Sequence, residues 1–193
     1  MIRRLDQDYE KNDIGVAGQA GSGKDTVSDL IVKEFGYKHI SVSDTLRLFI
    51  SACGLKASRK LQLDTANNLR SNFGNNFLVE TALKKVSDYK KVVISGIYCI
   101  EEAKHIKSLG GKIIYILPND LSFKRIKNRQ DSDRDEISLS ELNSAIEREN
   151  SGHEPNEANV SKIKNAADVI IENSGTLDEL KLKIYGYVKR IDY

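Results

Sequence analysis

Only two cysteines, Cys53 and Cys99, occur among the 193 residues, and neither has a partner at metal-ligand spacing. That excludes a disulfide-stapled scaffold and a zinc finger, and it fits a reducing compartment. Both thiols are expected to be buried as small apolar side chains. No apolar run approaches the ~18 residues that a membrane span requires. The stretch Met1 to Asp13 is charged and lacks the apolar centre of a secretory leader, so it reads as a loose polar lead-in. The three histidines, His39, His105 and His153, lie too far apart in sequence to suggest a metal site. A basic stripe is also missing. Thirty Lys and Arg are interspersed with twenty-eight Asp and Glu, for a net charge of +2. That balance argues against a dedicated nucleic-acid binder. The expectation is a cytoplasmic protein without membrane or nucleic-acid partners.

What the chain does contain is length enough for one domain that buries about 70% of its unfolded surface. It also contains Gly18-Gln19-Ala20-Gly21-Ser22-Gly23-Lys24-Asp25-Thr26, placed between an apolar run (Ile14 to Ala17) and a helix-period segment. Glycine, four residues, then Gly-Lys is the spacing of a phosphate-binding loop. Gly18, Gly21 and Gly23 let backbone N–H groups converge, since no Cβ obstructs the curl. The N-terminus of the following helix adds partial positive charge and Lys24 a mobile full one. Ser22, Lys24, Asp25 and Thr26 join the glycines as expected ATP-binding residues. The residue after Lys24 is usually a Ser or Thr whose hydroxyl holds Mg²⁺; here it is Asp25, with Thr26 one place later.

Downstream, helical and strand patterns alternate. Val27, Leu30, Ile31 and Phe35 share a helix face stopped by Gly36, and Tyr37 to Val42 reads as a short strand. Ser41 to Asp44 offers helix-capping hydroxyls, and Leu46, Phe49, Ile50 and Cys53 form the expected buried stripe before Gly54. Leu61, Thr65, Leu69 and Phe73 recur every four residues, with Arg70 beside that stripe. Val92 to Ile94, Ile113 to Leu117 and Val169 to Ile171 are continuous apolar runs of the kind found in parallel strands covered on both faces. Helices are expected through Ile100 to Leu109, from the capping box Ser138 to Glu141, and from Thr176 onward. The reading is an α/β phosphate-binding-loop NTPase: a five-stranded, mostly parallel sheet with helices on both faces. Residues 1–193 form one domain, with a helical acceptor region at about 45–87 and a short lid at about 130–150. Ligands should gather at the carboxyl ends of the strands, where Asp44, Arg47, Ser95 and Asn119 follow.

The run His39-Ile40-Ser41-Val42-Ser43-Asp44-Thr45-Leu46-Arg47 resembles the Ile-Ser-Thr-Gly-Asp-Met-Leu-Arg of adenylate-kinase-like nucleoside monophosphate kinases. The Gly-Lys-x-Thr form at Gly23 to Thr26 fits the same family, and some deoxynucleoside monophosphate kinases have Gly-Lys-Asp-Thr itself. Arg125-Ile126-Lys127-Asn128-Arg129 resembles the Arg-Ile-x-x-Arg that opens their lid. The closing stretch Ala167 to Thr176 is similar to dephospho-coenzyme A kinases and to related archaeal nucleotide kinases. The resemblance implies an ATP-dependent kinase acting on a nucleoside or deoxynucleoside monophosphate, with Mg²⁺ bridging the ATP phosphates. It implies that Lys24, Arg125 and Arg129 serve the transferring phosphoryl group. Ser41, Asp44 and Arg47 would serve the acceptor, with Arg70, Arg134 and Arg148 as further candidates. Dephospho-coenzyme A as acceptor, and an ATP-binding protein without efficient kinase activity, are the other readings.

Two departures from that family stand out. Its members usually carry Asp-Gly after the third strand and an arginine two or three residues on. Here the run is Ser95-Gly96-Ile97-Tyr98-Cys99. Asp25, Thr26 and Ser95 are therefore the expected metal-side residues, Asp25 either replacing the missing carboxylate or simply favouring the helix N-terminus. Arg70 is the expected substitute for the missing arginine.

Overall fold

The computed structural model of the protein describes residues 12–117, 119, 122 and 139–191. Strands β1 (Ile14–Gly18), β2 (Lys38–Ser41), β3 (Val92–Ser95), β4 (Lys112–Leu117) and β5 (Val169–Glu172) form one sheet in the order β2-β3-β1-β4-β5. Every neighbouring pair is parallel. The helices between them are α1 (Lys24–Phe35), α2 (Val42–Ala52), α3 (Arg59–Phe73), α4 (Phe77–Lys84) and α5 (Ile100–Ser108). They continue with α6 (Leu139–Asn150), the short α7 (Val160–Ile163) and α8 (Leu177–Ile191).

The continuous apolar strands are explained by two cores that alternate residue by residue. Side chains on a strand point to opposite faces in turn. Ile113 and Tyr115 of β4 enter one core with Val92 and Ile94 of β3, under α2, α4 and α5. Ile114 and Ile116 enter the other with Ile14, Val16 and Val93, under Val27 and Ile31 of α1 and Leu180, Ile184 and Val188 of α8. Asp13, expected in a loose lead-in, is instead buried at the foot of β1. Its carboxylate accepts from Val92 N at 3.0 Å and its carbonyl from Lys112 N at 2.9 Å, so it ties the central strand to both neighbours.

Two helix-face expectations need correction. On α2 the buried residues are Val42, Thr45, Leu46 and Ile50, while Phe49 and Cys53 are exposed. On α3 the buried residues are Gln62, Ala66 and Arg70, and Phe73 lies at the surface, stacked on Phe77. A four-residue repeat drifts by about 40° per step on a helix of 3.6 residues per turn, so Phe73 stands about 120° around from Leu61. Finally, Cys99 is buried as expected but Cys53 is not. Among the described residues no helix is long and apolar enough to cross a membrane.

Candidate active site

Register alignment brings the strand ends together. Ser41 of β2 pairs with Ser95 of β3, and Ser95 pairs with Val16 of β1, so the loops leaving these strands emerge side by side. The connection from β1 runs to β2 on one side and the connection from β3 runs to β4 on the other, which opens a crevice at the carboxyl ends between β1 and β3.

The glycine loop fills the start of that crevice. A Cβ on Gly18 would stand 2.6 Å from the Ile116 carbonyl oxygen, and Gly23 adopts a left-handed conformation, φ +97°, as the N-cap of α1. Lys24 is thus the first residue of α1. The loop is also fastened from the far end of the chain. Buried Asn173, just past β5, donates from Nδ2 to the Ser22 carbonyl at 2.9 Å, and the Asn119 amide donates to the Asn173 carbonyl. The Ser22 hydroxyl is buried without a hydrogen-bond partner among the described residues. An unmatched donor inside a cradle with no room for a Cβ is what a phosphate oxygen would satisfy.

A cavity of about 240 Å³ opens beside Lys24 and Asp25. Ser41, Asp44 and Arg47 line it from β2 and α2, and Ser95 from the end of β3. Ser41 caps α2, its hydroxyl accepting from Asp44 N at 3.1 Å, so that Arg47 falls one turn later on the cavity side. Arg47 forms an ion pair with Asp44 through one amino group. Its other, Nη1, is buried without a partner among the described residues. As a donor set for Mg²⁺, the Asp25 carboxylate and the Ser95 hydroxyl are hard oxygens on one cavity, and they fit that ion. Thr26 is exposed on α1 and is not part of the lining.

Arg70 does not take the place of the missing arginine. It is fully buried, and its Nε donates to Glu102 Oε1 at 2.9 Å. Burial works against its charge, but Glu102 overcomes this and holds the guanidinium protonated. The other oxygen of Glu102 accepts from Tyr98 N at 2.9 Å and Cys99 N at 3.3 Å, capping α5. Arg148 is exposed and pairs with Asp64 at 2.7 Å, away from the cavity lining. Arg125, Arg129 and Arg134 lie outside the described residues, as does the 130–138 part of the expected lid.

Residues that the sequence did not single out complete the site. His39 donates to or accepts from Ser95 Oγ at 2.8 Å. Burial lowers its pKa, partly offset by the carboxylates of Asp29 and Asp25. Its signal was available: His39 stands two residues before Ser41 on the same strand, hence on the same face. Arg59, at the start of α3, lines the main cavity and a narrow adjoining slot with a free volume of about 40 Å³. Tyr98 is half-buried and lines both, as do Ser43 and Gly96. Glu149 of α6 closes the slot. Its carboxylate, followed by burial, raises the Tyr98 pKa, so the phenol stays protonated. Nothing local in the sequence distinguishes Arg59 or Glu149 from other helix charges, because their place depends on how α3 and α6 cross the sheet.

The fold and loop define a phosphate-binding-loop protein with a kinase-like architecture. A family model described as an AAA domain matches residues 17–143. A UPF0200 protein of Pyrobaculum aerophilum is 33% identical over 134 residues, which are 68% of this chain and 73% of that protein. A UPF0200 protein of Sulfurisphaera tokodaii is 27% identical over 180 residues, 92% of this chain and 96% of its own. The chain belongs to the AAA-domain family and to the UPF0200 proteins. Among solved structures, shikimate kinase from Acinetobacter baumannii in complex with shikimate superposes with a TM-score of 0.58 over 93% of both chains, at 16% identity. At that identity the likeness is one of fold.

Proposed function

We propose that the protein is an ATP-dependent phosphotransferase whose acceptor is a nucleoside or deoxynucleoside monophosphate. One observation carries the reading: Lys24 and Arg47 line a single cavity, and Arg47 Nη1 is buried without a hydrogen-bond partner among the described residues. Two cationic groups from different elements on one cavity suit two anions that must meet. Phosphoryl transfer asks for alignment and charge neutralisation and little covalent help. An oxygen of the acceptor phosphate forms a bond to the γ-phosphorus while the β–γ bridging bond breaks, and ADP leaves.

In this reading the glycine loop and Lys24 hold the ATP phosphates, and Arg47 grips the acceptor phosphate with its planar fork. Asp25 and Ser95 would hold Mg²⁺, which neutralises charge on the phosphates when bound. Arg125 and Arg129 would close on the donor side from the lid, and the helices of residues 45–87 form the acceptor wall. ATP use and free thiols accord with a cytoplasmic setting.

ADP release measured with ATP alone, then with each common nucleoside monophosphate, tests the reading. One monophosphate should raise turnover well above the slow hydrolysis seen without it, and Arg47→Met should lower that turnover by about 100-fold. Equal ATP consumption with and without every acceptor would overturn it and leave a nucleotide-binding protein. A hydroxyl acceptor such as dephospho-coenzyme A is the second reading. It would need a proton removed, and His39, kept toward its neutral form by burial, lines the cavity to take it. Stimulation by dephospho-coenzyme A alone would favour it.

A further inference from the structure

His39 and Ser95 meet on the wall of the main cavity, which Lys24 and Asp25 also line. Strands β2 and β3 run parallel, with His39 opposite Val93 and Ser41 opposite Ser95. Residues two apart on a strand share a face, so His39, Val93 and Ser95 all stand on the side that α1 covers. The carboxylates of Asp29 and Asp25 act on the imidazole from that helix. His39 Nε2 lies 2.8 Å from Ser95 Oγ, a hydrogen bond of normal length. Ser95 is only 2% exposed, so its hydroxyl reaches the cavity with little contact with open water.

From this arrangement we infer that His39 is a positioning residue: it holds the Ser95 hydroxyl in place on the cavity that the Asp25 carboxylate lines, so that both oxygens are ready for Mg²⁺. The inference rests on the phosphotransferase reading and deepens it, by naming what orders the metal side of the site. A serine side chain has three staggered positions, and its hydroxyl proton turns to suit its partner. A second bond chooses among them. The imidazole supplies that bond in either tautomer, since Nε2 pairs with a hydroxyl as donor or as acceptor. In both cases the serine oxygen keeps a lone pair for a cation. Outer partners of this kind orient a metal ligand without replacing it. The backbone supports the assignment too. Adjacent parallel strands carry the two residues, and their register holds the pair at a fixed offset. An oxygen ordered in advance costs less to bring to the ion than one that must be ordered on binding.

The role differs in a measurable way from that of a proton acceptor. A base acts only when a hydroxyl acceptor is bound, whereas a positioning residue already acts in the complex of protein, nucleotide and metal. The probe is the non-hydrolysable ATP analogue AMPPNP, titrated by calorimetry into the full chain in Mg²⁺ and again in EDTA. By linkage, the ratio of the two Kd values measures how far nucleotide and metal favour each other. In the wild type Mg²⁺ should tighten AMPPNP. His39→Leu should lose about 10-fold of that tightening, the worth of an outer partner of a metal ligand, while its Kd in EDTA stays unchanged. An unchanged value in EDTA also shows the fold and the glycine loop intact. His39→Gln should restore the tightening, because a glutamine amide reaches the place of Nε2 and can bond the hydroxyl. Ser95→Ala should lose the same amount, and adding His39→Leu to it should lose no more.

Equal tightening in His39→Leu and the wild type would overturn the assignment. So would an equal loss of affinity with and without Mg²⁺, the mark of a residue that only shapes the pocket. A His39→Gln chain as weak as His39→Leu would overturn it as well, because the hydrogen bond would then not be what matters. In each of these cases the phosphotransferase reading stands. A wild type that binds AMPPNP no better in Mg²⁺ removes the metal site and the inference with it, and one that binds no AMPPNP removes the reading itself.

Discussion

Gly23 joins backbone conformation to packing at one atom. Its φ of +97° is strained for any residue with a Cβ, and a Cβ placed there would stand 2.3 Å from Asn173 Nδ2. Gly23→Ala should therefore cost about 1–3 kcal/mol of stability, read from urea unfolding. It should weaken ATP binding as well, since Asn173 must turn away and release the Ser22 carbonyl. Combining it with Asn173→Ala removes the collision but neither the backbone strain nor the lost hydrogen bond, so recovery should be partial. Full recovery in the double variant would show that the collision alone mattered.

Helix α5 depends on a residue that works in two directions. Glu102 caps its first turn through the Tyr98 and Cys99 amides and neutralises Arg70 of α3 across the core. Glu102→Ala leaves a buried guanidinium without its counter-charge, with Asn67 Oδ1 still accepting from it at 3.2 Å, and should cost about 3–5 kcal/mol. Arg70→Met with Glu102→Gln should regain most of that, because no buried charge remains and the glutamine oxygen can still cap; chemical denaturation of the three chains checks both. This pair also marks what sequence can show. Strands, their alternation with helices and the glycine loop were legible, because periodicity and turn chemistry are local. So was the Thr176 capping box, which the structure forms with Glu179 at 2.8 and 3.2 Å. Arg70 read as an acceptor-binding cation beside the stripe of Leu61, Thr65, Leu69 and Phe73, since a four-residue repeat drifts around the helix and hides which side faces the core. Arg59 and Glu149 meet across ninety positions of chain, and no short-range pattern reports such a meeting.

At the scale of the molecule, two helices packed on one core hold the two thiols differently. Cys53 is exposed at the end of α2, while Cys99 is buried at the α5 cap, where burial and then the Glu102 charge push its thiol up to about 12. A maleimide should label Cys53 at once in native buffer, and Cys99 only as the fold opens. Mass spectrometry of labelled peptides over a urea series then follows global opening without an added probe. Rapid native labelling of Cys99 would show instead that the α5 cap opens on its own. The fastening of the glycine loop by Asn173 spans 151 positions of sequence. During synthesis, the loop leaves the ribosome long before its anchor does. A nascent chain halted short of Asn173 carries every glycine of the motif but lacks the hydrogen bond that secures the Ser22 carbonyl, so its grip on nucleotide is completed only once Asn173 has been made.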